Sequence, residues 1–476
     1  MCTSSPGARW SRRGGPTPRP PAASSWPSPR TTERTTEQGS TTMSTAYELD
    51  RKHVFHSWSA QAEITPMVIT AARGSYVWDD EDRRYLDFSS QLVFTNIGHQ
   101  HPRVVAAIKE QADRLCTIAP AFANEQRAQA AELISEIAPD GFTKVFFTNG
   151  GADANEHAVR MARLQTGRFK VLTAYRSYHG GTQTAINLTG DPRRFANDTA
   201  TAGAVHFFGP FLYRSEFHAT TEEEECERAL AHLRRTLEAE GPQTIAAILL
   251  ETIPGTAGIF APPPGYLAGV RALCDEHGIK LILDEVMAGF GRAGTWLALD
   301  RYDVRPDLIT FAKGVNSGYV PLGGVIISDE IAATFDHTPY PGGLTYSGHP
   351  LACAAAVATI HTMRDEGIVE NADRLGREIF GPGLAEIAER HACVGEVRGV
   401  GAFWALDLVT AQDSRAMLPP AGVNDVVAAC KSAGLLPFSN TNRIHVVPPC
   451  TMSDDEAREG LAILDEALKA GDVHAG

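Results

Sequence analysis

From about residue 100 onward, short unbroken apolar runs alternate with longer stretches that repeat every three to four positions. The runs at 145–147, 171–173, 245–250, 281–283, 308–311 and 325–327 are bounded by turn residues, as parallel strands buried on both faces should be. Helical periodicity fills the intervals, for example at 152–165 and 265–277. The second of these follows Pro262-Pro263-Pro264 and stops at Gly278, proline ahead and glycine behind. Such alternation predicts a doubly wound α/β domain with a predominantly parallel sheet. Past residue 350 the pattern changes to helices at 351–365 and 371–390, strands at 394–398, 403–408 and 443–447, and a closing helix at 453–468. These predict a smaller α+β domain built from both chain ends. The expected division is 99–345 for the large domain, with 43–98 and 346–476 forming the small one.

Composition narrows the function classes. The 476 residues are 43% hydrophobic and 21% charged, ordinary for a globular chain. A net charge of -14 argues against nucleic acid as a partner, since a phosphate backbone demands clustered Lys and Arg. No apolar run approaches the roughly 20 residues that cross a bilayer. The cysteines are scattered without a C-x-x-C pair, which suggests free thiols in a reducing compartment and predicts a cytoplasmic protein. Residues 1–42 stand apart: rich in Ser, Thr, Pro and Arg, they predict a disordered extension. An Arg-rich leader can be a transit peptide, but the prolines spoil an amphipathic helix. Met43 is the expected natural start.

The charged residues that end buried strands carry the chemistry. Asp284 closes the run Lys280-Leu281-Ile282-Leu283, and Lys313 follows Leu308-Ile309-Thr310-Phe311-Ala312. In an open α/β sheet, ligands collect at the carboxyl ends of strands. One such charge alone would be read as a solvated strand end, but each of these sits in apolar surroundings where an unpaired ion is costly. The pair suits pyridoxal 5'-phosphate (PLP): a desolvated lysine amine binds the aldehyde, and a carboxylate keeps the pyridine nitrogen protonated. Phe146-Phe147-Thr148-Asn149-Gly150-Gly151-Ala152 reads as strand, glycine turn and helix start, an anion cradle or an ordinary βα turn. Tyr178, in Tyr178-His179-Gly180-Gly181, can lie against a flat ring or simply belong to the core. Gly98-His99-Gln100-His101-Pro102 lacks the spacing of a helical metal site and reads as a turn; no metal is expected. Gly289-Phe290-Gly291-Arg292-Ala293-Gly294 fits the dinucleotide fingerprint. However, Asp284 and Glu285 lie just upstream and would repel a pyrophosphate, and the residues that follow make a poor crossover helix.

Taken together, Leu283-Asp284-Glu285-Val286, Gly289-Phe290-Gly291-Arg292, Thr310-Phe311-Ala312-Lys313-Gly314, Thr345-Tyr346-Ser347-Gly348-His349-Pro350 and Ser177-Tyr178-His179-Gly180 resemble the class III (ω-amino acid) aminotransferases of PLP fold type I. The likeness runs from about Tyr47 to Leu468. It implies that Lys313 is the Schiff-base lysine and proton shuttle, and that Asp284 binds the pyridine nitrogen with Val286 on the ring. It further implies that Tyr178 and His179 contact the cofactor and that Gly150, Gly151 and Ala152 cradle its phosphate. Thr345 would reach the phosphate of a neighbouring subunit, which implies a homodimer with shared sites. The turn departs from the family's usual Ser-Gly-Ser or Ser-Gly-Thr, so two hydroxyl donors are missing. Relatives acting on ornithine or γ-aminobutyrate pair a glutamate, here Glu251, with an arginine whose place is taken by His445. Arg443 lies two residues earlier on the same strand face, either as a substrate-anion clamp or in a surface salt bridge. Trp58 and Ser90-Gln91-Leu92-Val93 would line the substrate pocket. The expected reaction moves an amino group from taurine, β-alanine or γ-aminobutyrate to 2-oxoglutarate or pyruvate. A decarboxylase, aminomutase or racemase on the same scaffold, or a PLP-binding regulator without turnover, is the alternative.

Overall fold

The computed structural model describes residues 45–197 and 203–476; the segment 1–42, expected to be disordered, lies outside the described residues. The contacts divide the chain into a unit ending at Ile64 and a unit from Thr65 to Gly476. The first unit contains the helix Thr45–His53 and a turn in which the His56 ring meets Asp50 at 2.6 Å. Trp58 sits in that turn with a left-handed backbone (φ 54°).

The second unit opens with an antiparallel meander of β1 (Ile69–Arg73), β2 (Tyr76–Asp79) and β3 (Arg84–Asp87). Its centre is a seven-stranded sheet of β4 (Lys144–Thr148), β5 (Lys170–Ala174), β6 (Ala204–Phe207), β7 (Ile245–Glu251), β8 (Lys280–Asp284), β9 (Leu308–Phe311) and β10 (Gly323–Ile327). The spatial order is β4-β10-β9-β8-β7-β5-β6, parallel except for β10. Every residue of β7, β9 and β10 is buried, which is why these strands read as unbroken apolar runs. The connection from β9 to β10 holds only a single 3-10 turn at Lys313–Val315 and no crossover helix, so the chain returns antiparallel. β6 is the strand the pattern does not announce: an edge strand of four residues, mostly half-buried, containing His206.

A third sheet joins β11 (Val394–Val400), β12 (Phe403–Ala411), β13 (Ala416–Met417), β15 (Phe438–Asn440) and β16 (Arg443–Val446), all antiparallel. Between them, β14 (Leu435–Leu436) pairs in parallel with β3, so residues from both ends of this unit share one sheet. The single helix expected at 371–390 is three segments: Ile368–Leu375, a π turn at Gly376–Phe380, and Gly381–Arg390. Pro382 cannot donate to the helical ladder, and a Cβ at Gly376 would meet the Gly401 carbonyl at 2.4 Å; the wider turn accommodates both.

The dinucleotide reading of 289–294 fails. Turns and a short 3-10 helix (Ala298–Arg301) follow it, with no crossover helix. Its Arg292 is fully buried and ties distant segments together. Nη1 donates to the Ala402 carbonyl at 2.9 Å and to the Pro448 carbonyl. Nη2 donates to Ser90 Oγ at 3.0 Å and Asn96 Oδ1 at 2.8 Å. Arg292→Ala leaves these buried acceptors without donors, and stability should fall by about 3 kcal/mol or more. Denaturant unfolding of the variant checks this, and a loss under about 1 kcal/mol would mean that water replaces the guanidinium.

Candidate active site

The carboxyl ends of β5, β7, β8 and β9 converge on one cavity of about 360 Å³. Glu251 closes β7 and Asp284 closes β8, and the two are direct neighbours in the strand register. Lys313 enters from the turn after β9. Its backbone is left-handed (φ 46°), a conformation that costs a non-glycine residue and collects at functional sites. The side chain is exposed only in part. Burial pulls the amine below the ordinary lysine value, against the opposing charges of Asp284 and Glu251.

Asp284 is gripped by three donors. Oδ2 accepts from Asn155 Nδ2 at 2.8 Å and meets His179 Nδ1 at 2.8 Å, while Oδ1 accepts from the Val286 amide at 3.0 Å. Behind this shell, Thr173 Oγ1 stands 3.3 Å from His179 Nε2, and Thr310 Oγ1 donates to Asn155 Oδ1 at 2.8 Å. Burial raises the Glu251 carboxyl to about 7, helped by the Asp284 charge. The Tyr178 and Gly255 amides both donate to it at 2.9 Å.

The glycine turn after β4 starts the helix Gly151–Thr166, with Gly150 at its N-cap. Helix starts leave amides without intrahelical partners. A Cβ at Gly151 would meet Val286 Cγ1 at 2.8 Å, so glycine lets the helix start abut the segment after Asp284. A Cβ at Gly150 would meet nothing within 4 Å.

Nine of the predicted residues line this cavity: Gly150, Gly151 and Ala152 at the turn, Tyr178 and His179 after β5, Glu251, Asp284, Val286 and Lys313. Three others lie elsewhere, and so does the stretch 90–93, although the next residue, Phe94, lines the cavity. Thr345 is exposed and does not line the cavity of its own chain. Trp58 belongs to the first unit, whereas every residue lining the cavity belongs to the second. Arg443 is held at the buried Asp407, its Nε 3.5 Å from Oδ2, beside Arg214 at 2.7 Å and Arg398 at 3.2 Å. Its salt bridge is therefore interior, not on the surface. Burial, joined by the charges of the neighbouring arginines and opposed by Asp407, lowers the Arg443 pKa to about 10. His445 is fully buried, and burial, joined by the charges of Arg443 and Arg398, lowers it to about 3. Sequence reasoning missed Asn155. A polar residue one turn into a helix that packs on β8 and β9 was the available signal.

The family model for aminotransferase class III matches residues 58–468. The chain is 36% identical to the 5-aminovalerate aminotransferase DavT of Pseudomonas aeruginosa, over 85% of this chain and 94% of that protein. It is equally 36% identical to the 4-aminobutyrate aminotransferase GabT of Escherichia coli, with the same coverage of each chain. Among solved structures it is similar to the taurine:2-oxoglutarate aminotransferase of Bifidobacterium kashiwanohense, in complex with PLP and glutamate. That match has 41% identity and a TM-score of 0.87, covering 90% of this chain and 98% of that one. With this fold and these matches, the chain belongs to the class III aminotransferases, PLP-dependent enzymes of fold type I.

Proposed function

We propose that this enzyme moves the amino group of an ω-amino acid, of the taurine, β-alanine or γ-aminobutyrate type, to a 2-oxo acid such as 2-oxoglutarate or pyruvate. One observation carries the reading: a partly buried amine, Lys313, and a carboxylate held by three donors, Asp284, share one cavity with a helix start. The residues fit PLP. Lys313 supplies the amine for its aldehyde, Asp284 the partner for its ring nitrogen, and the turn 150–152 the amides for its phosphate. When bound, that cofactor supplies an electron sink for the charge left at carbon as a proton departs.

Lys313 would take the proton from the carbon bearing the amino group and deliver it to the carbon on the far side of that nitrogen. Its lowered pKa leaves a larger neutral fraction to do so. Asp284 would face the ring nitrogen, with His179 and Asn155 fixing the plane of its carboxyl group. Arg193 already covers one face of the Tyr178 ring, its guanidinium carbon 3.6 Å from the centroid, so only the other face remains for a cofactor ring.

The enzyme works as a homodimer in which Thr345 serves the partner's site. Support comes from its exposure, and from Phe122 (61% exposed) and Tyr346 (60%), large apolar surfaces of the kind that mark association sites. The domain scheme proposed is 99–345 for cofactor binding, with 43–98 and 346–476 as the smaller partner. No helix among the described residues is long and apolar enough to cross a membrane. The seven described cysteines are free, in keeping with a reducing, cytoplasmic compartment.

The absorption spectrum of the PLP-loaded protein tests the reading. Taurine, β-alanine or γ-aminobutyrate should bleach the violet band, and 2-oxoglutarate or pyruvate should restore it. A band that none of the three changes refutes the ω-amino acid assignment, and absence of any band after PLP is added refutes the site.

A further inference from the structure

The cavity that would receive an acidic donor carries two carboxyl groups of its own, Glu251 and Asp284. Against them it sets the Lys313 amine and a histidine turned onto Asp284. The arginine on the nearby strand, Arg443, is drawn toward Asp407, its Nε 3.5 Å from Oδ2. A donor ending in a sulfonate or carboxylate therefore needs a cation at the wall. Arg193 is not itself a lining residue but stands directly beside one: its guanidinium stacks on Tyr178, which lines the cavity, and its charge acts on Lys313.

Arg193 is also held in position. Its Nε donates to Asp191 Oδ1 at 3.1 Å and Oδ2 at 2.9 Å, and Nη2 closes the fork on Oδ2. Its own amide binds Asp191 Oδ1 at 2.9 Å, which locks the turn Pro192–Arg194. Nη1 has no hydrogen-bond partner among the described residues. Beside this pair the wall is open: a Cβ at Gly181, another lining residue, would meet only the Tyr178 hydroxyl, at 4.0 Å. A planar guanidinium, stacked and fixed at one edge, keeps its free edge for an oxyanion at little ordering cost.

We propose that Arg193 determines donor specificity by binding the acidic end of the ω-amino acid while Lys313 works at the amino end; this rests on the function proposed above. Asp191 is its positioning residue. Arg193→Gln and Arg193→Lys, compared with wild type as PLP-loaded enzymes, test it against an ω-amino acid and against propylamine, which has no acidic end.

In Arg193→Gln the KM for the ω-amino acid should rise roughly 10- to 100-fold, more than kcat falls, and the preference over propylamine should drop by a similar factor. Arg193→Lys should recover part of it, as a point charge without the planar fork. The violet band should persist in both variants. Equal losses for the two donors would mean a structural role and overturn the proposal, as would unchanged kinetics. A wild-type enzyme that turns over no ω-amino acid would instead refute the proposed function itself.

Discussion

Lys313→Ala should lower kcat by roughly a thousandfold or more, since the amine acts both as the cofactor's anchor and as the proton carrier. The cavity offers no substitute. Its other titratable groups are Glu251, Asp284, Tyr178 and His179, and His179 is turned onto Asp284. The loss should not come from unfolding, because removing a buried amine whose pKa burial depresses removes a desolvation cost with it. The left-handed backbone at position 313 remains, with its strain, in either residue. Lys313→Arg should fail equally, since a guanidinium does not release its proton near neutrality. Methylamine, small enough to enter the vacated space, should restore part of the rate in Lys313→Ala and none in Lys313→Arg. Initial rates with and without methylamine, beside thermal unfolding of each variant, check all of this. A Lys313→Ala rate within tenfold of wild type would remove Lys313 from the chemistry.

The positions of Lys313 and Asp284 were legible because each charge stands at or just past the end of a buried strand. Such strands print their burial in sequence as apolar runs, and a charged residue at the carboxyl end stands out. β6 left no such print: at the sheet edge it needs burial on fewer sides, and its His206 breaks the run. Asn155 was illegible for another reason. Its partners Asp284 and Thr310 come from separate strands, and only their parallel register brings both to one point above the helix Gly151–Thr166. Arg292 is the extreme case. It sits in a motif whose spacing suggests phosphate binding, yet its guanidinium is spent on Ser90, Asn96, Ala402 and Pro448. The alternation rule did place Arg443 and His445 on one face of β16. It could not tell that Asp407 stands directly opposite Arg443 in β12 and claims its charge.

That partition assigns each nearby carboxyl a different condition. Asp407 is surrounded by arginines that hold it well below the usual carboxylate range despite its burial. At Glu251 burial dominates. The His179 charge and two backbone amides are too little to offset it and the Asp284 charge, and Glu251 titrates at about 7. Neutralised in part, it repels an anionic substrate less than a full charge would, which suits a site that must accept acids.

Asp284→Asn should lower kcat/KM by roughly a thousandfold, about 4 kcal/mol at the transition state. A carboxylate presents acceptors on every side. Asp284 uses them for Asn155, His179 and the Val286 amide, and has capacity left for the protonated ring nitrogen. Asparagine has one acceptor oxygen. If that oxygen faces Asn155 and His179, its amino group opposes the Val286 N–H; if it is flipped, the amino group opposes the other two donors. Either way a donor is left unmatched in a site where Asp284 is only 3% exposed. The charge that keeps the ring nitrogen protonated is lost as well. Two controls separate these effects. Asn155→Ala removes one donor but keeps the charge, and should cost far less than Asp284→Asn. A PLP analogue methylated on the ring nitrogen carries a permanent positive charge, and should recover much of the rate in Asp284→Asn while giving wild type nothing. Failure of the analogue to help, with Asn155→Ala as damaging as Asp284→Asn, would mean that the geometry of the shell and not the charge of Asp284 limits the reaction.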